Sequence, residues 1–301
     1  MKRNPTAWAL AASLLLLALA ARADHPSTNH HTGMVEASLA GLRKAAERGD
    51  RAELGRWAAR IGVARLARAL ADSDRNLALA ALDSVPYLPG RWLLLDPVLA
   101  RCDSADPQVS EHALRTTGAL LGDADSVLLD SWEIPDEVAR RACRVLAAVA
   151  CRTDRSIDLR LLALQSLADA SALCAQRNDL SALLHDPSRD IRRAAVLLLA
   201  PSAARTPSLL SEASKDLDPG VAAAAGVALC RQQLASHGKP TTPLPAAGRP
   251  FRELVLAPST PVEDAAEMLM CLADSTDPAD AKALEEVRSK GNPSLRDLAK
   301  R

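Results

Sequence analysis

Apolar and polar positions follow a helical period over most of the chain. In residues 186–200, DPSRDIRRAAVLLLA, apolar side chains recur at i, i+3, i+4, i+7 and i+8 from Ile191, which places them on one face of a helix. Val196 and Leu197 widen that face, so we expect more than one neighbour to cover the helix. Strict two-residue alternation does not persist anywhere in the chain, and strands are therefore not predicted.

Short polar breaks separate the apolar segments, and five of these breaks contain Asp-Pro. Asp is a favoured N-cap, and Pro fits the first helical position because its missing N–H is not needed there. Each pair therefore predicts a helix start. The pairs begin at Asp96, Asp106, Asp186, Asp218 and Asp277.

The breaks also carry a repeat. Asp186 is followed by Ile191 and Arg192, and Asp154 is followed at the same spacing by Leu159 and Arg160. Weaker copies start at residues 72, 104, 133 and 216, so successive copies lie 32, 29, 21, 32 and 30 residues apart. All but the 21-residue spacing fit a unit of two short helices.

An acidic cap followed by an aliphatic residue, Arg and Ala resembles the HEAT and HEAT-like repeats of the armadillo type, over about residues 64–233. The resemblance implies an all-α fold, a right-handed α-solenoid (superhelix) of HEAT-like helical hairpins. It also implies a ladder of hydrogen bonds between repeats, a role that falls on Asp154, Arg160, Asp186 and Arg192. Arg192 is thus expected to bind an acidic turn residue of an adjoining unit, and Arg193 is the better candidate for a surface contact.

Composition agrees with helices, since Leu and Ala supply the apolar residues and only 2% of residues are aromatic. We predict five segments along the chain. They are a signal peptide (1–23), a flexible His-containing lead (24–33), a HEAT-like helical array (34–235), a Pro-rich loop or linker (236–261) and a C-terminal helical hairpin that could cap the array (262–301).

Export is predicted by the N-terminus. Lys2 and Arg3 precede a 15-residue apolar run from Ala7 to Ala21, and Ala21-Arg22-Ala23 then fits a small-x-small cleavage site. The mature chain keeps 34 basic and 37 acidic residues, because the leader removes three basic ones. This balance argues against nucleic acid as a partner. We expect a periplasmic or secreted bacterial protein without a transmembrane span in the mature chain.

Six cysteines permit disulfides in an exported chain, although buried thiols are the alternative. In a solenoid each unit touches only its neighbours, which favours pairs close in sequence. Such pairs would be Cys102–Cys143, Cys151–Cys174 and Cys230–Cys271.

No nucleophile, phosphate-loop or metalloprotease motif is present in the sequence, so we predict neither an enzyme nor a cofactor. His25, His30 and His31 are candidate metal ligands, although a solvated tail is the simpler interpretation. The remaining histidines, His112, His185 and His237, have no acid at a recognisable spacing.

Two basic groups could form a docking surface for anions, or could pair with nearby acids. They are Arg140, Arg141 and Arg144, and Arg189, Arg192 and Arg193. Trp57, Trp92 and Trp132 are interface anchors if exposed, and otherwise belong to the core.

The sequence therefore favours an exported, non-catalytic scaffold that binds a protein partner through a surface spread over several helices. One alternative is an enzyme-associated protein of the phycobilisome-lyase-like branch of HEAT-like repeats. The other is a metal-handling envelope protein that uses the His-containing tail.

Overall fold

The computed structural model describes residues 29–122, 134–170, 174, 180–203, 206–237, 251–257, 260–273, 278–291 and 293–299. Within these ranges all regular secondary structure is helical and there is no strand, so the all-α prediction is confirmed. No described helix is both long and apolar enough to cross a bilayer. The predicted signal peptide (1–23), Trp132 and Asp277 lie outside the described residues.

The chain forms two compact units that divide between Val138 and Ala139. The helices of the first unit are α1 (Asn29–Glu47), α2 (Arg51–Ile61), α3 (Val63–Leu70), α4 (Arg75–Ser84), α5 (Leu95–Leu99) and α6 (Pro107–Gly122). Short 3₁₀ turns at Val85–Tyr87 and Arg91–Leu94 lie between α4 and α5.

The division falls in the first turn of α7 (Asp136–Cys151). The second unit continues with α8 (Ile157–Asp169), α9 (Arg189–Leu199), α10 (Pro207–Ala213), α11 (Pro219–His237), α12 (Phe251–Leu254), α13 (Val262–Ala273), α14 (Pro278–Lys290) and α15 (Pro293–Ala299). Two 3₁₀ turns, Ser181–His185 and Ala200–Ser202, flank α9.

Helix α4 forms the centre of the first unit. It packs against α1, α2, α3 and α6, and its Leu and Ala side chains from Leu77 to Leu82 are largely buried. Alanine suits this position, since its small side chain lets four neighbouring helices approach closely.

Helix α11 has the same role in the second unit, because residues 221–230 are buried on every side of the helix. It contacts α9, α10, α12 and α13. A helix that is apolar all round has to be enclosed, and Ala and Gly side chains permit this.

Three predicted boundaries need correction. Helix α1 begins at Asn29, so the last residues of the predicted flexible lead are helical. Part of the predicted linker is folded, since Leu254 and Val255 are buried in the core of the second unit. The C-terminal segment contains three helices rather than a hairpin.

Only some of the Asp-Pro pairs begin a helix as predicted. Helices α6 and α11 begin at Pro107 and Pro219, directly after the predicted caps. Asp96, in contrast, lies inside α5. In residues 186–200 the cap position belongs to Ser188, two residues after the Asp that we expected there.

Candidate functional site

The repeated copies found in the sequence, whose starting positions we call the repeat frame, correspond in part to a recurring turn. At four of its positions a side-chain oxygen accepts a hydrogen bond from the backbone N–H two residues later, over 2.8, 3.2, 2.9 and 2.8 Å. The acceptors are Asp72, Ser104, Asp186 and Asp216. The donating residue is in each case the N-cap of the next helix, so this local bond sets where the helix begins.

Arginines from the fourth position of a helix reach these turns, and we call their contacts the inner pairs. Arg160 of α8 bonds to the carboxylate of Asp186, and both side chains are only 4% exposed. Arg192 of α9 bonds to both carboxylate oxygens of Asp216, over 2.7 and 3.0 Å. Each inner pair joins a helix to the turn that precedes a later helix.

Both guanidinium groups also donate hydrogen bonds to backbone carbonyls. Arg160 Nε donates to the carbonyl of Ala150 near the end of α7, over 2.8 Å. Arg192 Nη1 donates over 2.9 Å to the carbonyl of Asp186. The turn at Asp186 is therefore bound by one arginine from the preceding helix and one from the following helix.

Arginines at the first helical position form a second set, the outer pairs, with the N-cap carboxylates. Arg75 lies 2.8 Å from Asp106, and Arg189 lies 3.8 Å from Asp218. These arginine side chains are largely exposed, so water screens the outer pairs far more than the inner pairs.

The inner pair at Asp216 shifts the pKa of both partners. Burial raises the pKa of the Asp216 carboxyl, but hydrogen bonds from Arg192 and from the backbone N–H of Asp218 outweigh burial and lower it. The hydrogen bond to Asp216 raises the pKa of Arg192. Both groups are therefore held in their charged forms.

Two predicted roles need correction. Asp154 does not pair with Arg160; its exposed carboxylate binds Arg152 over 2.6 Å, which lowers its pKa to about 2. Arg193, the expected surface contact, bonds over 2.8 Å to the largely buried carboxylate of Asp264 on α13. The remaining arginine group, Arg140, Arg141 and Arg144, is exposed on α7 and takes part in polar interactions.

Two disulfides are present, Cys143–Cys174 and Cys230–Cys271, and both lie in the second unit. The predicted pairs Cys102–Cys143 and Cys151–Cys174 do not form. Cys102 is a buried thiol beside Thr117, and burial raises its pKa to about 11. Cys151 is exposed at the end of α7.

Two histidines acquire acidic neighbours that the sequence spacing did not reveal. His112 Nδ1 lies 2.6 Å from Asp83, and this hydrogen bond raises the pKa of His112. His185 lies 3.7 Å from Glu212. No group of three potential metal ligands occurs within the described part of the chain. The candidate metal ligand His25 lies outside the described residues. The side chains of the other two candidates, His30 and His31, and that of His237 are likewise not described.

Between residues 54 and 71, helices α2 and α3 carry four exposed arginines, which we call the arginine surface: Arg56, Arg60, Arg65 and Arg68. Among the described residues no carboxylate forms an ion pair with them, and Arg60 lies 5.1 Å above the Trp57 ring. Trp57 and Trp92 are half-buried, so neither is a core residue or a fully exposed anchor. We did not predict this surface, although its signal is in the sequence, since residues 54–71 contain no Asp, Glu or Lys.

No protein-family model matches the chain, and no curated protein matches it.

Proposed function

We propose that the chain is an exported helical-repeat scaffold that binds a protein partner and catalyses no reaction. The observation that carries the proposal is the recurrence of one turn, joined by arginine–carboxylate pairs to other helices, in both units. A turn that recurs with its partners is typical of stacked helical repeats, and stacked repeats present extended surfaces suited to proteins. On this proposal the helices form a right-handed superhelix of HEAT-like hairpins.

The proposed site of action is the cell envelope. Two disulfides fit an oxidising compartment, because cytosolic reductants keep most thiols reduced. Fractionation of the native cells tests this part. We expect the protein in the periplasmic or secreted fraction, with an N-terminus at Asp24, and its presence in the cytosol with residues 1–23 attached would contradict export.

Affinity capture from the native envelope extract tests the binding function. We expect one protein to be retained by the native protein but not by the same protein after reduction and denaturation. That protein, once purified, should bind saturably in calorimetry. Turnover of a small molecule by the purified chain, or the absence of any saturable protein binding, would contradict the proposal.

A further inference from the structure

The arginine surface is an unbalanced patch of charge. Two arginines at the end of the neighbouring α1 have acidic partners. Arg43 pairs with Asp74, the N-cap of α4, and Arg48 pairs with Glu53 of α2. The segment from residue 54 to residue 71 contributes four arginines and no other charged residue. Helices α2 and α3 follow each other in the chain, contact each other and both pack on α4, so their exposed arginines belong to one region of the first unit.

This arrangement stabilises the two helices only in part. Arg56 and Arg60 are four residues apart on one helix face, a spacing at which like charges repel. Arg65 lies in the first turn of α3, where the helix dipole disfavours a cation. The dipole favours only Arg60 and Arg68, which lie in last turns. No described carboxylate compensates these four charges.

Exposed and half-buried apolar and aromatic side chains lie on α2 itself and on the two 3₁₀ turns that pack against α2 and α3. Tyr87 is 42% exposed and Leu93 is 37% exposed, and their 3₁₀ turns pack on α2 and α3 respectively. Trp57 and Trp92 are half-buried in the same region. The chain has only six aromatic residues, and three of them surround this surface. Arg, Trp and Tyr are the residues that most often contribute binding energy at protein interfaces.

The Trp57 ring packs closely against α1, and the Tyr87 backbone lies close to α2. A Cβ atom at Gly41 would overlap the Trp57 ring, and a Cβ at Gly55 would lie 3.3 Å from the Cβ of Tyr87. A membrane anchor needs apolar side chains that project into the lipid. The exposed guanidinium groups of the arginine surface fit instead a chain whose carboxylates can accept forked hydrogen bonds from Arg.

We propose that the arginine surface is the docking site for an acidic segment of a partner protein. Carboxylates of the segment would pair with Arg56, Arg60, Arg65 and Arg68, and its apolar side chains would pack on Tyr87 and Leu93. The inference rests on the proposed function as a protein-binding scaffold, and it specifies the chemistry of the partner.

Fluorescence anisotropy of a dye-labelled peptide of Glu-Glu-Leu repeats, with a Gln-Gln-Leu peptide as its control, tests the proposal. The test variant carries Arg56→Gln, Arg60→Gln, Arg65→Gln and Arg68→Gln. The control variant removes the same charge elsewhere, through Arg115→Gln, Arg152→Gln, Arg231→Gln and Arg288→Gln, at exposed arginines that already pair with acids. Circular dichroism establishes that both variants remain folded.

We expect the protein to bind the Glu peptide more tightly than the Gln peptide, with an affinity that falls as salt is added. The test variant should bind the Glu peptide about tenfold more weakly or worse, whereas the control variant should stay within about twofold. Equal binding by both variants, or equal binding of the two peptides, would overturn the proposal. Binding to phosphatidylglycerol vesicles without binding to the Glu peptide would overturn it in favour of a membrane surface.

Capture from the envelope extract separates this inference from the proposed function. If a captured partner binds the test variant as tightly as the unmodified protein, the scaffold function stands and the assignment of the arginine surface is wrong. If no partner is captured but the Glu peptide still distinguishes the variants, the surface is correctly assigned and the scaffold function is wrong.

Discussion

Arg160 is the most enclosed charged residue among those described, and its contacts explain how a cation is retained there. Its guanidinium group binds the Asp186 carboxylate and the Ala150 carbonyl, so its charge is compensated without water. Replacing a buried ion pair by apolar residues is often neutral, but removal of one partner leaves the other charge uncompensated.

Substitution of Arg160 and of Arg192 tests whether the more deeply buried inner pair contributes more to stability. Arg160→Ala should lower the free energy of unfolding by about 3–5 kcal/mol, because it leaves the buried Asp186 carboxylate without its partner. Both carboxylates keep a backbone hydrogen bond, but the Arg192–Asp216 pair lies closer to solvent, so Arg192→Ala should cost only about 1–3 kcal/mol. Urea unfolding followed by circular dichroism measures both values.

Arg231→Ala is the matched control for these two variants. Its ion pair with Glu267 is largely exposed, so we expect a cost of about 0–1 kcal/mol. Equal losses in all three variants would show that burial of the ion pair does not determine its contribution.

His112 makes the stability of the first unit depend on pH. Its pKa in the folded protein is raised above 6.5 by the hydrogen bond to Asp83. The folded state therefore binds the proton more tightly than the unfolded state. The resulting stabilisation is fully present below pH 6.5 and is lost as the pH rises through the raised pKa.

Comparison of the wild-type protein with His112→Gln measures this contribution. At about pH 5.5 the variant should have a free energy of unfolding lower by about 0.2–1 kcal/mol, a range suited to a half-exposed pair. At about pH 9, where His112 is neutral, the part of this difference that comes from its charge should vanish. Asp83→Asn should show the same pH dependence. A difference that stays constant between these pH values would rule out protonation of His112 as its source.

At the scale of elements, close helix packing depends on small residues at the points of contact. Gly41 on α1 lies directly against the Trp57 ring of α2, where a Cβ has no room. Gly55 on α2 leaves slightly more room beside Tyr87. The two glycines therefore differ in the space available, although both lie in helices and could gain helix propensity from alanine.

Gly41→Ala should lower the free energy of unfolding by about 1–3 kcal/mol, because relief of the overlap requires Trp57 or α1 to move. Gly55→Ala, the control, should be close to neutral, since its higher helix propensity offsets a mild contact. Trp fluorescence during urea unfolding measures both effects. A stabilising effect of Gly41→Ala would show that α1 and α2 are not packed as closely as described.

At the scale of the whole molecule, the two units have separate spectroscopic signatures. All four Trp residues and the single Tyr of the sequence precede residue 139, whereas both disulfides lie after it. Trp fluorescence therefore follows the first unit alone. Circular dichroism follows the helices of both units.

Removal of the Cys230–Cys271 disulfide should destabilise only the second unit. The Cys230→Ala, Cys271→Ala variant loses a cross-link over 41 residues, which we expect to cost about 2–4 kcal/mol. The urea midpoint should fall in circular dichroism and stay unchanged in Trp fluorescence. Cys102→Ala is the control, and it should move the fluorescence midpoint instead, because Cys102 is buried in the first unit. An equal shift of both signals in either variant would show that the two units unfold together.

The repeat frame is the clearest case in which local sequence and structure agree. Asp72, Ser104, Asp186 and Asp216 sit at the predicted spacing and form the same turn, because an Asp or Ser side chain finds its backbone partner two residues away. Asp96 shows the limit of the same reasoning. Its Asp-Pro pair lies inside a short helix, where packing overrides the capping preference.

The sequence by itself determined the helical class, the turns at Asp72, Ser104, Asp186 and Asp216, and the helix starts at Pro107 and Pro219, because helical periodicity and capping depend on residues within about one or two turns of each other. The expected pair Cys230–Cys271 is present, but only the tertiary structure decided that Cys143 pairs with Cys174, which arginine meets which carboxylate, and that Arg193 faces Asp264 while the arginine surface has no described acid opposite it. These partners lie tens of residues apart along the chain. Helix packing brings them together, and the local pattern of residues does not show which distant segments will come into contact.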